Sequence, residues 1–346
     1  MKRRTFLKAL GAAAIAAPLP IRAQSKRFDG ITLNVNSYGG DYDRIMTETI
    51  ARPLAERTGL KVTYTPGSST AAVAKILAAP GAAPFDIVLC DSPNMPDLIK
   101  AQAIDPVDAD AVPGMKKLLP KMREFGQFGL PYSIASIVLT YNTSRVKAPL
   151  SSFAELAEPS LKNRVAMLNL ENTGGMLYFI AMAEAGGGSV DNVEPAFAAL
   201  SKVKPNIVSV TPATVSLVQV LEQEEAWAAP LWDGRIHAMR KAGRPMALVR
   251  PKEGVYSLLS YASPVKGTKH PDAVRAYLDQ AVSDEAIAGL AKFFRYGPTT
   301  SLDLGPEGQE VITYGEAAVA QMKTVDWTTV SERRADWLNK FNREMR

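Results

Sequence analysis

One cysteine and two histidines are all that the 346 residues offer of either type. With Cys90 alone, no internal disulfide can form. It closes the apolar run Phe85-Asp86-Ile87-Val88-Leu89-Cys90, where a buried strand thiol is expected rather than a reactive one. His237 falls in a helical segment and His270 precedes Pro271, and neither has a second histidine at metal-ligand spacing. No zinc or other cofactor is therefore expected. There is no Gly-x-Ser-x-Gly elbow for a serine nucleophile. Gly67-Ser68-Ser69-Thr70 lacks the Gly-Lys-Ser/Thr ending of a phosphate-binding loop, and no paired-carboxylate motif is legible. The chemistry of an enzyme is missing, and a binding protein is the expected class.

Long hydrophobic runs are missing too. The apolar stretch from Ala9 to Ala17 is far below the ~20 residues of a membrane span, and Pro18 and Pro20 close it. Ahead of it stand Lys2-Arg3-Arg4-Thr5-Phe6-Leu7-Lys8, a positive n-region whose paired arginines resemble twin-arginine export signals. That resemblance implies a signal peptide over residues 1–23, with Ile21-Arg22-Ala23 at the cleavage site, and export of an already folded chain by the twin-arginine machinery. No cysteine sits at the cleavage point to carry a lipid. The chain holds 40 Lys+Arg against 35 Asp+Glu, a formal +5. The signal contributes Lys2, Arg3, Arg4, Lys8 and Arg22 and no acid, so +5 less these five cations leaves zero. A neutral mature protein carries no electrostatic footprint for nucleic acid, and a soluble periplasmic monomer is expected.

The mature ~320 residues exceed the size at which single cores stop growing, so two lobes are expected. Strand-like and helix-like segments alternate. Ile31–Val35 alternates with period two, and Ser37-Tyr38-Gly39-Gly40-Asp41 breaks it as a loop. A helix is expected from Asp43 to Arg57 with Gly59 past its end, then a strand at Lys61–Thr65 and a helix from Thr70 to Ala79. After the strand ending in Cys90, Asp91-Ser92-Pro93 places a cap and a first-turn proline before a helix through Lys100. Further strands are expected at Ile137–Asn142, Arg164–Leu168, Asn206–Val210 and Ala226–Leu231, with a helix after Asn172-Thr173-Gly174-Gly175. Units of this kind imply an α/β protein with parallel sheet and helices on its faces.

Five segments, in order, resemble the spermidine/putrescine-binding group of bacterial ABC-transporter solute receptors. They are Leu54 to Val62, Phe85 to Leu89, Gly129-Leu130-Pro131-Tyr132 with Thr140-Tyr141-Asn142, Pro230 to Arg235, and Pro251-Lys252-Glu253-Gly254 with Lys269 to Ala273. The resemblance implies a two-lobed periplasmic-binding-protein-like fold, each lobe a mixed, mostly parallel sheet flanked by helices, joined by two crossover strands. Lobe 1 would comprise residues 28–136 and 259–300, and lobe 2 residues 137–258 and 301–346. The partners it implies are a small-molecule solute and an ABC permease in the cytoplasmic membrane. In open α/β sheets ligands sit beyond the carboxyl ends of strands. The candidate ligand-binding residues are therefore Ser37, Tyr38 and Asp41; Asp91 and Ser92; Asn172, Thr173, Gly174 and Gly175; Trp232 and Arg235; and Tyr256.

Departures from that group redirect the ligand. Its acids ahead of the second-lobe helix become Thr173 and Met176, the acid after Pro-Lys-Glu-Gly becomes Leu259, and the first-loop acid becomes Gly40. Trp232 and Tyr38 keep the aromatic wall. A polyamine buried without acids would cost several kcal/mol. In their place stand a helix start at Asn172–Gly175 and Arg235, which suit a carboxylate or phosphonate, while Asp91 can meet an amine. A carboxylate, phosphonate or amino-acid-like zwitterion is expected. The alternative is a polyamine held by Asp41, Asp43 and Asp91, and the rival class is an exported hydrolase. Ferric-iron receptors of similar build use adjacent tyrosines, and none of the 11 tyrosines has a tyrosine neighbour. Converting Arg3-Arg4 to Lys-Lys should abolish export while leaving folded protein in the cytoplasm, since lysine lacks the guanidinium fork. Cell fractionation checks this; undiminished export of the double variant would point to the general secretory route.

Overall fold

The computed structural model describes residues 26–345 apart from Ala83, so the expected export signal lies outside the described residues. Nine strands form one mixed sheet. They are β1 (Thr32–Ser37), β2 (Lys61–Pro66), β3 (Ile87–Asp91), β4 (Leu130–Asn142), β5 (Val165–Leu168), β6 (Ile207–Thr211), β7 (Ala228–Trp232), β8 (Met246–Val249) and β9 (Tyr256–Pro264). The order is β2-β1-β3-β9-β4-β7-β5-β6, with β8 on β4 outside this path. β1 pairs in parallel with β2 and β3, and β5 with β6 and β7. Between these parallel sets run β4 and β9, antiparallel to each other and to their outer neighbours. The two parallel sets are thus sewn into one sheet by the long central strands.

Period-two alternation sorts the strand residues onto two faces. Ile87 and Leu89 join one apolar cluster with Leu33, Tyr132 and Tyr277, while Val88 and Cys90 join another with Val73 and Tyr261. In the same way Val165 and Met167 pack with Phe179 and Trp327, and Ala166 and Leu168 with Leu217 and Ile236. Along the central strands membership passes from the first pair of clusters to the second. The changes fall between Ile134 and Ala135 and between Leu258 and Leu259. Val319 and Met322, expected with the second set, pack in the cluster of Val73 and Tyr261.

Helices cover both faces: α1 (Asp41–Met46), α2 (Arg52–Thr58), α3 (Ser69–Ala78), α4 (Met95–Lys100), α5 (Thr173–Ala185) and α6 (Glu194–Val203), followed by α7 (Thr214–Glu222), α8 (Asp233–Lys241), α9 (Pro271–Ala281), α10 (Asp284–Phe294), α11 (Gly315–Gln321) and α12 (Trp327–Glu344). The helix expected over Asp43–Arg57 is interrupted. Residues Thr47–Ala51 widen into a π turn between α1 and α2. The physical reason is Pro53, which has no N–H for the carbonyl of Thr49 four residues back. That carbonyl accepts instead from Gln280 Nε2 of α9 at 2.8 Å, while Gln280 Oε1 accepts from Arg57 Nη2 at 2.5 Å. The Pro-Lys-Glu-Gly segment is scaffold: the Glu253 carboxylate accepts from Ser152 Oγ at 2.5 Å and from the backbone N–H of Phe153 and Ala154 at 3.1 Å, capping the short helix Phe153–Ala157.

Gln280→Leu should destabilise the chain by about 1–3 kcal/mol, because it takes the partner from the part-buried Thr49 carbonyl and from Arg57. Urea unfolding measures this, and a loss under about 0.5 kcal/mol would show that water or the widened helix meets the Thr49 carbonyl.

Candidate functional site

Residues just beyond the carboxyl ends of six strands converge on one cavity of about 1050 Å³. On one wall Tyr38 and Asp41 follow β1, Ser69 follows β2, and Asp91 ends β3. On the other, Asn172 and Thr173 follow β5, Thr214 follows β6, and Trp232 and Arg235 come from the β7–α8 junction. The floor is Ala135 of β4 with Leu258 and Ser260 of β9, where the central strands pass between clusters. A pocket at the carboxyl ends of parallel strands is what α/β chain winding produces.

Asp91 is the best-built group in it. The Asn36 side chain joins β1 to β3, donating from Nδ2 to the Leu89 carbonyl and accepting from the Leu89 N–H, both at 2.7 Å. This brings the ends of the two strands together. Asp91 Oδ1 then accepts from Tyr38 OH at 2.9 Å and Ser260 Oγ at 3.0 Å, and Oδ2 from Ser69 Oγ at 3.2 Å. Its side chain makes no cap bond to the following helix, and no cation pairs with it among the described residues. Burial raises its pKa above the ordinary carboxylate range, with the three hydroxyl bonds opposing the shift. Sequence reasoning located Asp91 but neither Ser69 nor Ser260.

The facing wall is basic. Arg235 is exposed to the cavity, with no ion pair among the described residues, and Lys241 lies further along the same helix. His237, one residue pair beyond Arg235, also lines the cavity; burial and then Arg295 hold its pKa below the ordinary value. Gly234 lets this helix start close to the opposite wall, since a Cβ there would lie 2.4 Å from the Phe294 carbonyl oxygen. That wall carries aromatic residues absent from the sequence expectation. Phe293, Phe294 and Tyr296 reach the cavity from the end of α10, and Tyr42 from α1.

Five expected site residues do not line the cavity. Ser37 is fully buried and its hydroxyl donates to Asp43, which also accepts from the Gly39 N–H at 3.1 Å. Asp43 therefore pins the loop and does not line the cavity. Ser92 donates to Glu124 at 2.9 Å and sits against the Leu259 backbone. Gly174 and Gly175 are buried helix-packing positions; a Cβ on Gly175 would lie 2.1 Å from the Asn169 carbonyl oxygen. Tyr256 points along β9 into the core, 1 % exposed, and donates to Glu184 at 2.6 Å. Of the remainder, Asp41 is at the exposed rim in a 3.3 Å pair with Arg44. Asn172 spends its oxygen on the Gly174 N–H at 3.0 Å, as an N-cap.

Behind Trp232, Asp233 is buried, with no cation paired to it among the described residues. Oδ1 accepts from the N–H of Gly234 at 2.8 Å and Ser136 at 3.3 Å, and Oδ2 has no partner. Burial pushes its pKa up to about 7. A pKa raised on folding stabilises the protein fully below the ordinary carboxylate value, and that contribution is lost as pH rises through about 7. Asp233→Asn should therefore gain stability relative to the parent between about pH 5 and pH 8, by an amount on the order of a few kcal/mol. Urea unfolding at the two pH values measures it, and parallel stabilities would show that Asp233 is not desolvated as described.

A model of the bacterial extracellular solute-binding protein family matches residues 49–310. The spermidine/putrescine-binding periplasmic protein of Salmonella typhimurium is 24% identical over 234 residues, which cover 64% of this chain and 65% of that protein's length. Among solved structures, an ABC transporter from Clostridium perfringens is 26% identical with a TM-score of 0.78, covering 91% of this chain and 100% of the other. The PBP AgtB from A. tumefaciens R10, in complex with agropinic acid, is 20% identical with a TM-score of 0.73, covering 91% and 99%. No helix among the described residues is long and apolar enough to cross a membrane. With the family model spanning most of its length and the sheet placing one large cavity at the strand ends, the chain belongs to the bacterial extracellular solute-binding proteins.

Proposed function

We propose that the chain is the exported solute receptor of an ABC importer and that its ligand is a small amino-acid-like zwitterion, held by its amine against Asp91 and by its anion against Arg235. One observation carries this reading. Among the described residues, the cavity sets Asp91, which no cation pairs, on one wall against Arg235, which no acid pairs, on the other. Each lone charge is the complement of one end of a zwitterion, and a ligand touching both walls stabilises their approach. Two lobes would then close about the places where β4 and β9 change clusters, by a hinge motion.

A polyamine is the alternative suggested by the name of the Salmonella relative. Its second and third amines would face Arg235 and Lys241 rather than acids. Asp41 is committed to Arg44, and Glu171 stands exposed at the rim. Like charges across the cavity oppose that ligand.

A thermal-shift and calorimetric panel of amino acids, ω-amino acids, carboxylates, phosphonates and polyamines tests the reading, since a ligand at 100 times its Kd adds about 2.7 kcal/mol of stability. Stabilisation by putrescine or spermidine alone would replace it. With a bound zwitterion in hand, Arg235→Ala should raise Kd at least about 30-fold, or ~2 kcal/mol. An affinity within about threefold of the parent would remove Arg235 from the site.

A further inference from the structure

We infer that the cationic end of the ligand is a fully substituted ammonium, a quaternary nitrogen with no N–H of its own, and that the receptor selects it over the corresponding primary amine. The inference deepens the zwitterion reading and rests on it. It begins with what Asp91 has left to offer. A carboxylate has about four acceptor positions, and three on Asp91 are filled by Tyr38, Ser260 and Ser69. A primary ammonium brings three N–H donors. Asn94, whose amide makes no hydrogen bond among the described residues, adds a neutral acceptor on that wall, and the lone pairs of the three hydroxyl oxygens add others. A desolvated primary ammonium would thus trade water for one free carboxylate position and neutral oxygens, a poor exchange for three N–H groups.

The surface around Asp91 is suited to a different cation. Tyr38 meets Tyr42 edge to face at 4.8 Å between ring centres, Tyr42 meets Phe294 at 5.7 Å, and Phe294 stacks on Tyr296 at 5.1 Å. All four line the cavity, and Trp232 faces them from the other wall. Tyr296 lies close enough to Asp91 and Arg235 for both charges to act on its hydroxyl. An alkylated ammonium needs no hydrogen bond and is held by aromatic faces around it. Asp91, with three of its about four acceptor positions filled by hydroxyls, then supplies net negative charge from behind the rings. This arrangement compensates the ligand's charge and leaves no donor unpaired.

The test is calorimetry on matched pairs that differ only in N-methylation: glycine against its N,N,N-trimethyl form, and 4-aminobutyrate against its N,N,N-trimethyl form. At least one trimethyl compound should bind ten times or more tighter than its parent amine. In Phe294→Leu that ratio should fall at least about fivefold, whereas a residue that only supports the fold would weaken both members alike. Ser260→Ala should shift the ratio the same way by freeing an acceptor on Asp91 for an N–H. Tighter binding of the primary amines, with Arg235→Ala still weakening it, would overturn this inference and leave the zwitterion reading standing. Binding of neither pair, together with binding of putrescine, would overturn both.

Discussion

The antiparallel pairing of β4 with β9 is the constraint from which the site follows. β4 contributes residues to all four apolar clusters and β9 to three of them, and their register sets Ser133 to Ile137 opposite Tyr256 to Ser260. Because β3 docks on the far side of β9 and β7 on the far side of β4, the two parallel sets are held with their carboxyl ends facing one space. Ala135, Leu258 and Ser260 become its floor without any loop having to reach there. The same register delivers the Ser260 hydroxyl to Asp91, so the pairing that builds the sheet also sets the charge environment of the cavity.

Much of the site was legible because it lies where a strand ends and a helix begins. Asp91, Trp232, Arg235, Tyr38 and Thr173 are each within a few residues of such a junction, and alternation followed by a turn signal is a local pattern. Phe293, Phe294 and Tyr296 were not legible. They lie at the far end of α10, and only the packing of α9 and α10 on the first strands carries them back across the cavity. Tyr256 shows a different limit. It has the same parity on β9 as Leu258 and Ser260, so its face was right, but its position along the strand puts it under α5 beside Glu184. Parity is written in the sequence, whereas the point at which a strand leaves one cluster for another is decided by what covers it.

The family resemblance divides in a similar way. Glu253 of the Pro-Lys-Glu-Gly segment caps a helix, and Asp233 within Pro230 to Arg235 is a buried acceptor for backbone N–H groups. Residues of this kind hold the frame together without lining the cavity. Of the positions expected to replace that group's acids, Thr173 lines the cavity, whereas Met176 and Leu259 are buried in the apolar clusters. The fold could therefore be recognised from residues that build the frame, and these carry no information about the ligand.

Cys90, fully buried in β3 with burial raising its thiol pKa, is the chain's single sulfhydryl and lies directly before Asp91. No disulfide can therefore form within this chain. Nothing in this architecture waits for an oxidant or an isomerase acting on cystine, so the native state is fully accessible in a reducing cytosol. A protein so constituted can finish folding, cavity included, on the side of the membrane where it is synthesised.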